Sequence, residues 1–153
     1  MSFKEKQNSG SVSLLLSVIF ALIGFIIFII NSTTGYLAGS QIDTGTLILS
    51  IIAIVFGTLL FLFKDSMKRY ESLIAITVGV LLSTAVCLFI YSRINLAADV
   101  WFIPVNYPEA EETALMVSIV GVAFYVLSIV ALAISTILGI EAKPSKQIEV
   151  VKE

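Results

Sequence analysis

Four apolar segments without a single Asp, Glu, Lys or Arg decide what this chain can fold into. They cover residues 12–30, 46–63, 72–91 and 114–139. At about 1.5 Å per residue of α-helix, each segment is long enough to cross a hydrocarbon core of roughly 30 Å. The sequence therefore predicts an all-α integral membrane protein, folded as a four-transmembrane-helix bundle.

The composition agrees with this fold class. Hydrophobic residues make up 58% of the 153 residues, charged residues make up 13%, and the mean hydropathy is +1.04. Soluble domains average roughly 45–50% apolar and about 25% charged residues. A chain of this length forms one domain, residues 1–153. The first segment is longer than the apolar part of a secretory signal and lacks a cleavage pattern, so we expect it to be retained as a span.

The connections between the spans are polar. Residues 31–45 are rich in turn formers; Asn31-Ser32-Thr33 matches a glycosylation sequon, but Asn31 is better interpreted as the helix C-cap. Residues 64–71 form a short connection, which predicts that the second and third spans are antiparallel neighbours. Residues 92–113 form the long connection. The tail from 140 to 153 has too little apolar content to pack, so we expect it to be disordered.

The basic residues predict the orientation. Of the nine Lys and Arg residues, only Arg93 lies in connection 31–45 or 92–113. The others fall at the termini and between the second and third spans: Lys4, Lys6, Lys64, Lys68, Arg69, Lys143, Lys146 and Lys152. Because cytoplasmic segments carry the excess of Lys and Arg, both termini are predicted to be cytoplasmic in a cell membrane.

The residue types present exclude several chemistries. There is no His, and Cys87 is the only cysteine, so a tetrahedral zinc site, a facial iron site, a disulfide and a His-activated nucleophile cannot be assembled within the chain. No ionisable Asp, Glu, Lys or Arg lies inside a span, where such groups usually mark ion paths. The chain also lacks the basic run that nucleic-acid binding needs. We therefore expect neither an enzyme nor a bound metal or cofactor.

Small residues recur every four positions in the spans, which places them along one helix face. The longest such row is Ala75, Gly79, Ser83 and Cys87 in the third span. Shorter rows are Ser13, Ser17 and Ala21 in the first span, Ala53 and Gly57 in the second, and Ala131, Ser135 and Gly139 in the fourth. Such rows let helices approach closely in lipid. We interpret them as contacts within the bundle, with docking of a foreign helix on the third span as the alternative.

Tyr125 lies near the middle of the fourth span, where its hydroxyl needs a partner because an unpaired buried polar group costs on the order of 1–3 kcal/mol. Aligning the midpoints of the third and fourth spans predicts a hydrogen bond from Tyr125 to Ser83 or Thr84.

The long connection carries the candidate binding residues. Residues 95–102 mix apolar and polar side chains, which predicts a short helix in the membrane interface that ends on Trp101 and Phe102. Residues 106–109 resemble a capping box that begins the fourth span. The acids Glu109, Glu111 and Glu112 would then lie in its first turn, where the helix dipole favours negative charge.

Two interpretations of this connection stay open. It can be a membrane anchor followed by a capped helix. It can also be a partner-binding site with aromatic anchors and an acidic rim. The residues of that site would be Trp101, Phe102, Tyr107, Glu109 and Glu112.

The functional prediction is a non-catalytic membrane protein, an accessory, assembly or partner-binding subunit. Its expected partners are the lipid bilayer and either another membrane protein or further copies of itself. The alternative is a pore or transporter subunit that functions only as an oligomer, with Ser, Thr and backbone carbonyls lining the path. Against it, no Pro interrupts a span.

The orientation is testable by cysteine labelling. In a Cys87→Ala background, Ser66→Cys is expected to resist a membrane-impermeant thiol reagent added to intact cells, because the connection 64–71 is predicted to be cytoplasmic. Labelling after the membrane is opened is the positive control. Modification of the introduced thiol in intact cells would contradict the orientation.

Overall fold

The computed structural model describes residues 3–63, 70–102 and 109–141, with side chains from residues 9–63, 70–102 and 109–138. These residues form helices and turns, without a strand among them. The helices are α1 (Phe3–Thr33), α2 (Thr44–Leu62), α3 (Glu71–Ser92), α4 (Ile94–Phe102) and α5 (Glu109–Glu141), with a 3₁₀ turn at Gly35–Leu37.

Four of these helices, all except α4, are long and apolar enough to cross a membrane by length and composition. They overlap the four predicted spans, although α1 already begins at Phe3, and α4 covers the helix predicted over 95–102. α1 continues to Thr33 and α5 already begins at Glu109. At the other end of α5, residues 140–141 belong to the helix. The rest of the predicted disordered tail lies outside the described residues.

Buried residues alternate at intervals of three and four along the long helices. On α1 they are Gly10, Leu14, Ser17, Ala21, Gly24, Phe28 and Asn31, with Ser32 also buried beside Asn31. On α2 they are Thr46, Ser50, Ala53, Gly57 and Leu60. A seven-residue repeat of this kind keeps one face of each helix towards its neighbours, as in left-handed bundles with small crossing angles.

The first and last long helices, α1 and α5, make the most extensive contact in the bundle. They run antiparallel and meet through residues that recur every seven positions, all of them small except Asn31. We call this set the α1–α5 seam: Gly10, Ser17, Gly24 and Asn31 on α1, opposite Ser135, Ser128, Gly121 and Ala114 on α5. Short side chains let the two backbones come close, which is the main source of helix association in lipid.

Serine hydroxyl groups cross the seam. Ser17 Oγ donates to the Ser128 carbonyl and Ser128 Oγ donates to the Ser17 carbonyl, both at 2.8 Å. Nearer the termini, Ser135 Oγ donates to the Gly10 carbonyl at 2.7 Å. Each bond satisfies a hydroxyl whose unpaired burial would cost about 1–3 kcal/mol. The net gain from one interhelical bond in a membrane is smaller, about 0.6 kcal/mol on average.

The row of small residues on α3 is only partly in contact with the bundle. Ala75 is buried and Gly79 half-buried, whereas Ser83 and Cys87 are exposed. The prediction that this row packs inside the bundle is therefore wrong for Ser83 and Cys87. Four residues of α-helix turn through about 400°, so a row with that spacing rotates by about 40° at each step. A seven-residue row drifts by only about 20° per repeat.

Tyr125 occupies the centre of the bundle with no exposed surface. Its hydroxyl lies 2.7 Å from Ser50 Oγ on α2. The predicted bond to Ser83 or Thr84 is therefore wrong. Both of those residues lie on the exposed face of α3, and Thr84 Oγ1 donates to the Val80 carbonyl of its own helix.

Aromatic rings link α3 to this centre. The ring of Phe89 packs edge to face against Phe28, with centroids 5.0 Å apart, and against Tyr125 at 6.3 Å. Both separations fall in the favourable range for aromatic pairs. α1, α3 and α5 therefore share one aromatic cluster, and the Tyr125 hydroxyl adds α2.

The seam predicts unequal effects of adding one methyl group. At Gly24 a Cβ would lie 2.9 Å from Tyr125 Cδ2 and 3.2 Å from the Gly121 carbonyl oxygen. Gly24→Ala should therefore lower the free energy of unfolding by roughly 1–3 kcal/mol. Gly79→Ala is the control, since its Cβ would meet Leu132 Cδ2 at an ordinary 3.7 Å. Thermal unfolding in detergent measures both, and equal melting temperatures would contradict the close approach of α1 and α5.

Candidate functional site: the α4 end of the bundle

Four of the candidate binding residues lie at one end of the bundle, where α1 and α3 end and α5 begins: Trp101, Phe102, Glu109 and Glu112. We call it the α4 end. There the chain turns directly from α3 into α4 through Arg93: the Arg93 amide donates to the Ile90 carbonyl at 3.0 Å, and the Ala97 amide donates to the Arg93 carbonyl at 2.9 Å. No spacer separates the two helices, so the position of α4 is fixed by the end of α3.

α4 is amphipathic, and its two faces have different surroundings. Leu96 is buried in a small cluster with Leu37, Ala114 and Leu115, and Ala97 and Val100 pack against that cluster. At the end of α4, Trp101 is 64% exposed and Phe102 is 79% exposed. The same helix therefore attaches itself to α5 and presents two large aromatic side chains at the surface.

An apolar groove of about 430 Å³ opens between α3, α4 and α5, and we call it the α4 groove. Among the described residues, its lining is apolar except for Arg93 and Ser118. The lining residues are Ile90, Arg93, Ile94, Ala97, Ala98, Trp101, Phe102, Leu115, Ser118, Ile119 and Val122. The volume falls within the range of roughly 300–1,000 Å³ typical of ligand sites.

Arg93 is the charged residue of this groove. Its Nη2 donates to Ser32 Oγ at 2.6 Å, and its guanidinium carbon lies 5.7 Å from the centre of the Phe89 ring, within cation–π range. Among the described residues, Arg93 Nε is buried and has no hydrogen-bond partner. Burial lowers the pKa of the Arg93 guanidinium, and the Asp43 carboxylate opposes that shift. Arginine nevertheless stays protonated in proteins, so this end of the bundle holds a half-buried positive charge.

Asn31 and Ser32 connect the seam to Arg93. Asn31 is buried, and its Nδ2 donates to the Ala114 carbonyl at 3.1 Å and to Ser118 Oγ at 2.6 Å. The interpretation of Asn31 as a C-cap is therefore wrong, since α1 continues to Thr33 and the side chain binds α5 instead of its own helix end. The same contacts bury the amide of the sequon.

The acids at this end stand in the predicted place. Glu109, Glu111 and Glu112 lie in the first turn of α5, and Glu109 and Glu112 are exposed. Glu111 raises the pKa of the Tyr36 phenol, first through a side-chain hydrogen bond and then through its charge. Tyr107 and the first three residues of the predicted capping box, 106–108, lie outside the described residues.

The geometry separates residues that the sequence grouped together. Trp101 and Phe102 share the wall of the α4 groove, whereas Glu109 and Glu112 are not among its lining residues. The sequence does not predict Arg93 as a site residue. Its charge bears there only on the orientation, as the one basic residue in connections 31–45 and 92–113. A lone charge immediately after an apolar helix was the available signal.

The lining of the α4 groove offers apolar surface, one hydroxyl group and one guanidinium group. No cluster of three or more His, Cys, Asp or Glu side chains that could hold a metal ion occurs within the described ranges. Free Cys87 is exposed on α3, away from the lining of the α4 groove. The groove can thus take up apolar groups beside one positive charge.

No protein-family model matches this chain, and no curated protein or solved structure resembles it with statistical significance.

The Asn31 contacts predict a loss of stability when the amide is removed. Asn31→Ala eliminates two bonds between α1 and α5, each worth at most about 1–2 kcal/mol in an apolar environment. Thr33→Ala is the control, because Thr33 Oγ1 bonds only to the Ile29 and Ile30 carbonyls of α1. We expect a lower midpoint of unfolding in a denaturing-detergent titration for Asn31→Ala alone. Equal midpoints for both variants would show that the Asn31 bonds do not hold the helices together.

Proposed function

We propose that this protein is a non-catalytic membrane protein that binds a partner membrane protein through its α4 end. The observation that carries the proposal is the exposure of Trp101 and Phe102, side by side at the rim of an apolar groove. Aromatic side chains of this kind dominate the energetics of protein interfaces, particularly where a pocket lies beside them. The protein would act as an accessory or assembly subunit.

The surface of the long helices supports a membrane location. Large apolar side chains are exposed along all four, for example Ile26 on α1, Val55 on α2, Ile76 on α3 and Ile134 on α5. Soluble proteins rarely expose contiguous apolar surface on this scale. A location in the membrane explains this exposed apolar surface, because the side chains then contact lipid tails instead of water.

The orientation that we propose puts the α4 end outside the cytoplasm. It follows from the distribution of basic residues: the termini and the connection between α2 and α3 carry all of them except Arg93. The candidate partner surface would then be available to the outer portion of another membrane protein.

The interior of the bundle argues against conduction through a single copy. The cavity among Leu14, Ser17, Ala21, Ala53, Val78 and Leu82 holds only about 10 Å³, which is at the lower limit for one water molecule. Seam hydroxyl groups are bonded to backbone carbonyls, so they do not line a path. A pore would need surfaces contributed by several copies.

Trp101→Ala tests the proposal, with Tyr91→Ala as the control. Tyr91 is 74% exposed near the end of α3, but it does not line the α4 groove. With a partner that copurifies stoichiometrically in mild detergent, Trp101→Ala should weaken binding by at least about 30-fold, the equivalent of roughly 2 kcal/mol for an interface anchor. Tyr91→Ala should leave binding unchanged, and both should keep the wild-type melting temperature.

Two results would contradict partner binding at the α4 end. One is a Trp101→Ala variant that melts at a lower temperature and retains its partner, since Trp101 would then be a membrane anchor. The other is a protein that is monomeric and without a partner after photo-cross-linking from position 102 in intact membranes.

A further inference from the structure

We propose that the α4 groove binds a phospholipid, with an acyl chain between α3, α4 and α5 and the phosphate group against Arg93. The inference rests on the proposed membrane location but not on the partner protein. It assigns the groove behind Trp101 and Phe102 a ligand, whereas the proposed function assigns the exposed aromatic surface a protein.

The walls of the groove fit an acyl chain. Ile90 lies in the last turn of α3, and Ile119 and Val122 lie on the part of α5 that follows its acidic first turn. These walls belong to helices that are apolar enough to cross a membrane. A groove of about 430 Å³ that opens between two such helices faces hydrocarbon, so a lipid tail is the apolar group at hand.

The charge at the head of the groove fits a phosphate. Arg93 directly follows the last residue of α3, which in a spanning helix is the level of the lipid headgroups. Its guanidinium is half-buried, and its buried Nε has no hydrogen-bond partner among the described residues. Buried charges are normally paired, and guanidinium groups bind phosphate oxygens through charge-assisted bonds. A phospholipid would add a direct counter-charge to the electrostatic effect of Asp43 and supply the tail in the same molecule.

A second groove in the same bundle provides the contrast. It holds about 320 Å³, also lies between α3 and α5, and opens towards the opposite end among Ala75, Gly79, Leu132 and Ala133. Among the described residues that line it, none is charged. Apolar space alone is therefore common to both grooves, and Arg93 is what distinguishes the α4 groove.

Native mass spectrometry of the full chain in mild detergent tests the proposal. The probes are phosphatidylglycerol and the diacylglycerol with the same two acyl chains, which differ only in the phosphoglycerol headgroup. We expect phosphatidylglycerol to bind at least about tenfold more tightly, the effect of one charge-assisted contact. Inorganic phosphate should not displace it, because it has no acyl chain. Equal binding of both lipids, or displacement by inorganic phosphate, would overturn the proposal.

Variants locate the site. Ala98→Phe fills the α4 groove and should weaken phosphatidylglycerol binding by about tenfold, whereas Ala133→Phe places the same side chain in the second groove and should not. Arg93→Gln should weaken binding as Ala98→Phe does, and Arg93→Lys should restore most of it. If Arg93→Gln fails to fold, the comparison of Ala98→Phe with Ala133→Phe still shows whether the lipid binds in the α4 groove. Equal binding by the two Phe variants would mean that the lipid binds elsewhere.

The outcomes separate this inference from the partner proposal. A chain that is recovered from the soluble fraction of cells would contradict both. A partner that depends on Trp101, together with no preference for phosphatidylglycerol, would overturn only the lipid site.

Discussion

The close antiparallel approach of α1 and α5 is the constraint on which the rest of the structure depends. In lipid, apolar side chains gain nothing by leaving one apolar surrounding for another, so helices associate through packing and hydrogen bonds. The seam supplies both, because glycine removes the side chain at Gly24 and Gly121, and serine pairs its hydroxyl across the contact at Ser17 and Ser128. With these two helices joined, one apolar face remains for α2 and α3 to cover.

The geometry of the α4 end depends on the same seam. Asn31 joins α1 to the first turns of α5, and the next residue, Ser32, accepts a hydrogen bond from Arg93 at the end of α3. α4 begins immediately after Arg93 and packs on Leu115 of α5. Three helix ends are thus held by a short chain of polar contacts, and they place Trp101 at the rim of the groove.

Much of the fold could be predicted from the sequence, because an uncharged segment long enough to cross a membrane can adopt few structures other than a spanning helix. The positions of the long helices and of α4 follow from hydropathy and from the polar residues between them.

The pairing of helices could not be predicted in the same way. Small residues spaced by four are conspicuous on α3, but that row rotates out of contact. The seven-residue seam is harder to see, since Asn31 is neither small nor apolar. Tyr125 illustrates the same difficulty. Its depth in the membrane could be estimated from the sequence, but the identity of its hydrogen-bond partner, Ser50, depends on how all four helices are arranged.

The seam also sets an order of events during synthesis. Its partners are far apart in the chain: Gly10 and Ser135 are separated by 125 positions. At roughly 5–20 residues per second, the first helix leaves the ribosome on the order of ten seconds before the last one. During that interval the Asn31 amide and the Ser17 hydroxyl lack their final acceptors. α1 therefore remains without its helix partner until α5 is made. A chain that stops before α5 would expose the polar seam residues of α1 to the quality-control machinery of the membrane.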